Sequence, residues 1–234
     1  MKTITLGSTG ITTVQNAFGA LPIQRISTQE AVHLLRKAYD GGMTFFDTAR
    51  AYSDSEKKMG AAFDGMREKI FIASKTMAQT PEDFWAQLHT SLRNLRTDYI
   101  DIYQFHCANR CFAPGDGTGM YECMLEARQQ GKIRHIAITA HKYGIAQEAI
   151  ASGLYETLQF PLSYLSLPKE EALVQACAAQ IPAPPWPISS NSITLCPSGV
   201  SSGSRNWTNG SAIWTKRPPW TKKPPLSSTG SAGN

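Results

Sequence analysis

The chain has 234 residues, enough for one sizeable domain, and 41% of them are hydrophobic, which excludes a disordered polymer as a description of the whole. Its formal charge of +5 hints at nucleic acid until it is divided by region: residues 1–180 hold all 18 acidic residues and 18 of the 23 basic ones, while residues 181–234 hold Arg205, Lys216, Arg217, Lys222 and Lys223 and no acid. A neutral body with a short basic tail excludes a phosphate backbone as principal partner.

In chain order, residues 2–6 and 11–14 flank Gly7-Ser8-Thr9-Gly10 and predict a β-hairpin, which in a barrel would plug the N-terminal end. Short apolar runs rich in Ile, Phe and Tyr then alternate with longer helix-like segments. They predict strands at residues 16–20, 44–47, 70–75, 99–106, 133–139 and 157–160. One start roughly every 30 residues is the pattern of repeated βα units on a parallel sheet. The helices carry boundary signals. Ser27-Thr28-Gln29-Glu30 is a capping box ahead of a helix over 31–39, and Thr80-Pro81-Glu82-Asp83 supplies a cap, a first-turn proline and early acids. Gly41, Gly42 and Gly131 stand where helices should stop.

From residue 181 the character changes. Nine of the 14 prolines, four of the five tryptophans and eleven serines fall in residues 181–234, with no helical or strand period. The expectation is therefore an α/β chain of (β/α)8 TIM-barrel type, incomplete, with about six βα units after the hairpin in residues 1–180. A disordered, basic Pro/Ser/Trp-rich tail would follow over 181–234. A deletion or reading-frame change near residue 180 would explain the abrupt loss of acids and periodicity. Alternatively, Pro182-Ala183-Pro184-Pro185-Trp186-Pro187 and Lys216-Arg217-Pro218-Pro219 could lie as polyproline helices in a partner's aromatic groove. Parallel strands left open at the barrel's gap would expose amides and apolar surface, which weakens the fold and leaves the oligomeric state unspecified.

The cysteines, Cys107, Cys111, Cys123, Cys177 and Cys196, are odd in number and lack C-x-x-C spacing, which predicts reduced thiols and no metal site. The start, Met1-Lys2-Thr3-Ile4-Thr5-Leu6-Gly7, has no apolar stretch behind its lysine, and no run approaches the roughly 18 residues of a membrane span. A soluble cytoplasmic protein with no membrane partner is expected.

Chemistry-bearing groups fall at or just past the ends of successive strands: Asp47 and Tyr52, then Lys75, then His106. The C-terminal ends of barrel strands are where active sites form, and neighbouring strands would bring these four side chains to one rim. A Tyr phenol has an ordinary pKa of about 10 and is a weak acid at neutral pH. An adjacent ammonium stabilises its phenolate, so Tyr52 beside Lys75 could protonate a carbonyl oxygen as hydride reaches the carbon. Asp47 would pair with Lys75, and His106 would hydrogen-bond and orient the carbonyl oxygen. The hydride must come from a nicotinamide, since no side chain supplies one. Taken singly, each residue has a plainer role: a strand-end ion pair, a packed aromatic, a satisfied core histidine. Lys75 could also be a Schiff-base lysine, although a paired carboxylate would keep its amine protonated and unreactive.

The stretch Gly42-Met43-Thr44-Phe45-Phe46-Asp47-Thr48-Ala49-Arg50-Ala51-Tyr52-Ser53-Asp54-Ser55-Glu56 resembles the aldo-keto reductase signature, with its D-T-A and Y-x-x-S-E. Ile72-Ala73-Ser74-Lys75-Thr76 is similar to that family's lysine strand, and residues 98–106 to its histidine strand. The resemblance covers roughly residues 1–180. It implies an NADPH-dependent reductase acting on a small-molecule aldehyde or ketone, with catalytic Asp47, Tyr52, Lys75 and His106. It also implies a fifth strand whose end holds the nicotinamide amide; here Thr139-Ala140-His141 stands where Ser-Asn-His is usual, and Gln159 matches a glutamine to the same group. Gly19 and Ala20 at the end of the first strand, with Asp47, complete the candidate cofactor contacts. The family's seventh strand and phosphate-gripping eighth have no counterpart in the sequence, so the alternative is a truncated, catalytically impaired relic or interaction protein lacking full cofactor binding.

Overall fold

The computed structural model describes residues 2–180, together with the backbone of two short strands at 206–208 and 211–213. The hairpin forms as predicted: β1 (Thr3–Thr5) pairs antiparallel with β2 (Thr12–Val14), Thr3 facing Val14. Thr9 holds its turn, donating its hydroxyl to the Leu6 carbonyl at 2.5 Å and accepting from the Ile11 amide at 3.1 Å.

Six strands follow and pair in parallel, in chain order: β3 (Phe18–Gly19), β4 (Phe45–Asp47), β5 (Phe71–Thr76), β6 (Ile100–Phe105), β7 (Ile133–Thr139) and β8 (Thr157–Gln159). They make a curled half-barrel, the incomplete (β/α)8 architecture the sequence implied. Most strands are shorter than expected. The first narrows from five residues to two because a 3-10 turn at Pro22–Arg25 begins directly after it. Only β5 runs past its expected end, to Thr76, which pairs with Phe105.

The helices α1 (Thr28–Asp40), α2 (Ser55–Ala62), α3 (Pro81–Leu95), α4 (Met120–Gln129), α5 (Tyr143–Ser152) and α6 (Pro168–Gln180) alternate with the strands. The capping box forms in both directions: Glu30 N donates to Ser27 Oγ at 3.2 Å, and Ser27 N donates to Glu30 Oε2 at 2.9 Å. Thr80 Oγ1 accepts from Asp83 N at 3.2 Å, with Pro81 in the first turn where its missing N–H costs nothing. Beyond α4, Gly131 takes φ of 72°, which stops the helix in a conformation glycine adopts freely.

Alternate strand residues face opposite sides. Phe46, Ile72, Tyr103, Phe105, Ile136 and Ile138 pack outward with helix residues such as Leu35, Leu88 and Met124 in the main core. Phe45, Ala73, Ile102 and Ala137 face the concave side, where Ile4, Leu6 and Ile11 of the hairpin pack with them. Full burial of one such Ile, Leu or Phe side chain contributes about 1.5–3 kcal/mol, so the hairpin is a firm base for the curl. Two residues further along three of these strands, on the same face, come Asp47, Lys75 and Gln104, so the next layer is polar.

β3 and β8 are the sheet's edges, and among the described residues no other strand pairs with either. After β8, Tyr164, Leu165 and Leu167 are exposed before α6 returns with Leu173 and Val174 buried. Within residues 181–234 only the antiparallel pair β9 (Asn206–Thr208) and β10 (Ser211–Ile213) is described. The expected disorder of the rest of that tail, and its polyproline alternative, lie outside the described residues. Among the described residues no helix is long and apolar enough to cross a membrane.

Candidate active site

The loop after β4 hangs from β5: Thr48 N donates to Ala73 O at 2.8 Å and Arg50 N to Lys75 O at 3.0 Å. A turn, Tyr52 N to Ala49 O at 3.0 Å, then carries Tyr52 back over the strand ends. Lys75, at 1% exposure, directs Nζ to Asp47 Oδ2 at 2.5 Å and to Thr48 O at 2.7 Å. The same Nζ lies 5.1 Å from the centre of the Tyr52 ring, and that ring meets His106 edge-on with centroids 5.5 Å apart. His106 is set by its amide, which donates to Thr76 O at 2.8 Å. All four side chains singled out from the sequence are therefore neighbours at the C-terminal rim.

Two of the three Lys75 N–H groups are satisfied by Asp47 and Thr48. Burial, with the Lys75 ammonium and His141 nearby, pushes the His106 pKa down to about 4, so its imidazole is neutral around pH 7. His106 is half-buried and its Nδ1 has no hydrogen-bond partner.

The candidate cofactor contacts are distributed unevenly. Gln159 Nε2 is buried without a partner at the end of β8, beside Thr139 in register. Thr139 Oγ1 already accepts from Cys107 N at 2.7 Å, and its own hydrogen remains to be donated. His141 is exposed. Gly19 is half-buried and pairs with Asp47, but Ala20 is fully buried with both backbone groups in use: its N–H donates to Asp47 O at 2.8 Å and its carbonyl accepts from Ser55 Oγ at 2.9 Å. Ala20 thus also belongs to the frame under Asp47. Among the described residues no three His, Cys, Asp or Glu side chains gather as a metal site would require.

The family model described as "Aldo/keto reductase family" matches residues 3–186. The chain belongs to the aldo/keto reductase family. It is 36% identical over 121 residues to methylglyoxal reductase YeaE of Escherichia coli, covering 50% of this chain and 41% of that protein. It is 29% identical over 158 residues to aldo-keto reductase YhdN of Bacillus subtilis, covering 62% and 47%. An aldo-keto reductase of Klebsiella pneumoniae, solved in complex with NADPH, superposes with a TM-score of 0.66 at 26% identity, over 77% of this chain and 66% of that one. The chain spans about half the length of the curated relatives it matches.

In this family member the Ser and Glu of Y-x-x-S-E frame the site. Ser55 Oγ meets Thr48 Oγ1 at 2.9 Å as well as the Ala20 carbonyl. Glu56, with no exposure, accepts from Ser74 Oγ at 2.8 Å, from Asn94 Nδ2 at 3.2 Å and from Arg50. Arg50 also reaches Ser53 O at 3.1 Å, closing the loop around Tyr52. Sequence reading missed Gln104, whose Nε2 donates to Asp47 Oδ1 at 3.3 Å. Its signal was available: it stands two residues before His106, on the same strand face.

Proposed function

We propose that the chain reduces an aldehyde or ketone to an alcohol with NADPH, and that Tyr52, Lys75, Asp47 and His106 are its catalytic residues. The carrying observation is the buried Lys75–Asp47 pair lying against the Tyr52 ring, with His106 at the ring's edge. When bound, NADPH supplies the hydride. Tyr52 donates its phenolic proton to the carbonyl oxygen as the carbon is reduced, and the Lys75 ammonium stabilises the phenolate left behind. Asp47 holds the Lys75 ammonium in place. His106, neutral, can donate an N–H to the same oxygen and so select the orientation in which its charge develops beside Tyr52.

The residues fit the nicotinamide end of the cofactor. The unpartnered Gln159 Nε2 is a donor suited to the carboxamide oxygen, with Thr139 opposite it in register; Gly19 and His141 are the further candidate contacts. Ala140 offers no polar side chain where the family has Asn. The reading extends to a cytoplasmic enzyme, supported by the free thiols of Cys107, Cys111, Cys123 and Cys177. Among the described residues no further strand pairs with the edges β3 and β8, which favours a second reading, a relic or interaction protein that lacks full cofactor binding.

Purified chain mixed with NADPH and either methylglyoxal, prompted by the relative's name, or a nitrobenzaldehyde separates the two. Loss of NADPH absorbance that stops with Tyr52→Phe supports the reductase. No fluorescence quenching at millimolar cofactor supports the relic.

A further inference from the structure

We infer that Gln104 is a positioning residue, which fixes the Asp47 carboxylate so that its other oxygen holds Lys75. The inference rests on the reductase reading for its effect on turnover, while its structural core stands on the geometry alone. Gln104 is 4% exposed and stands opposite Lys75 in the β5–β6 register. Its Nε2 donates to Asp47 Oδ1 at 3.3 Å, while Oδ2 takes the Lys75 ammonium at 2.5 Å. A carboxylate held at one oxygen can still turn about its side-chain bonds, whereas one held at both has a single plane. A buried carboxylate oxygen with no donor is also costly.

Packing does not account for the residue type. The rest of β6 is Ile100, Asp101, Ile102, Tyr103 and Phe105, and Ile102 precedes Gln104 on the same face. A leucine or methionine would continue that face with similar volume. An added cation at 104 would compete with Lys75 for Asp47, and an anion would repel the carboxylate. A neutral amide donates to Asp47 without doing either.

The test compares Gln104→Leu and Gln104→Glu with the wild-type chain, each checked for cooperative thermal unfolding. Losing one hydrogen bond on the carboxylate is expected to lower kcat about tenfold in Gln104→Leu, with the KM values for NADPH and aldehyde unchanged within about twofold. Gln104→Glu is expected to be impaired near neutral pH. Relative to wild type at the same pH it recovers towards acid, where a protonated carboxyl can donate to Asp47 Oδ1. A simple packing defect gives no such recovery. Unchanged kcat in Gln104→Leu, or equal losses in Gln104→Glu at every pH, overturns the inference. Should the wild-type chain turn over no carbonyl, the reductase reading fails by itself, and a ligand-free crystal structure of Gln104→Leu decides the positioning role. Rotation of Asp47 and loss of the 2.5 Å contact to Lys75 support it, and an unmoved pair overturns it.

Discussion

Lys75 Nζ and Asp47 Oδ2 lie 2.5 Å apart across neighbouring strands, with side-chain exposures of 1% and 5%. Two charges withdrawn from water are tolerated only through each other, so removing one strands its partner. Lys75→Met is expected to cost about 3–5 kcal/mol in urea unfolding. Asp47→Asn combined with Lys75→Met should regain most of that stability and none of the turnover. If the double variant is as unstable as the single, the two charges are not coupled in the way their geometry implies.

Tyr52→Phe keeps the ring that meets His106 and removes only the proton donor. Turnover should fall by roughly 10²–10⁴-fold, the usual contribution of a positioned acid. NADPH affinity, followed by fluorescence titration, should stay close to wild type. Turnover that survives the change would move the acid role to another residue.

His106 links folding to pH. Its pKa falls from 6.5 to about 4 in the folded chain, so the unfolded chain takes up this proton first as pH drops. The stability it contributes is complete above 6.5 and is lost progressively as pH falls towards about 4. Melting curves of wild type and His106→Gln should therefore converge across that window. Parallel curves would show that His106 titrates normally when folded.

Gly60 marks where α2 and α3 touch. A Cβ there would intrude on the Asn94 carbonyl oxygen and the Leu95 carbonyl carbon, both backbone atoms. Gly60→Ala should destabilise by about 1–3 kcal/mol through overpacking, read as an earlier denaturant midpoint. A gain in stability, as helix propensity alone would give, would mean that the two helices separate easily.

Much of this architecture was legible because it depends on short-range patterns. Runs such as 133–139 alternate or cluster apolar residues at strand spacing, and Ser27 with Glu30 states a helix start in four letters. The rim residues could be read for the same reason, since each stands at or just past the end of a strand. What stayed hidden depends on partners distant in sequence. α2 turns Ser55, Glu56, Lys58 and Gly60 inward, so no apolar stripe announces it. Their partners, Ala20, Ser74, Asn94 and the Ile23 and Ile26 carbonyls, lie up to 38 residues away. Gln104 similarly looks like an interruption in an apolar strand until Asp47, 57 positions earlier, is set beside it. The same holds for Ala20, whose partners Asp47 and Ser55 lie far along the chain.

The stopper formed by Ile4, Leu6 and Ile11 closes the concave side from below. The floor beneath the ion pair is therefore greasy, and water does not reach Lys75 and Asp47 through it. Loosening that floor would flood the charges from behind and weaken their grip on one another, although every group at the rim kept its place.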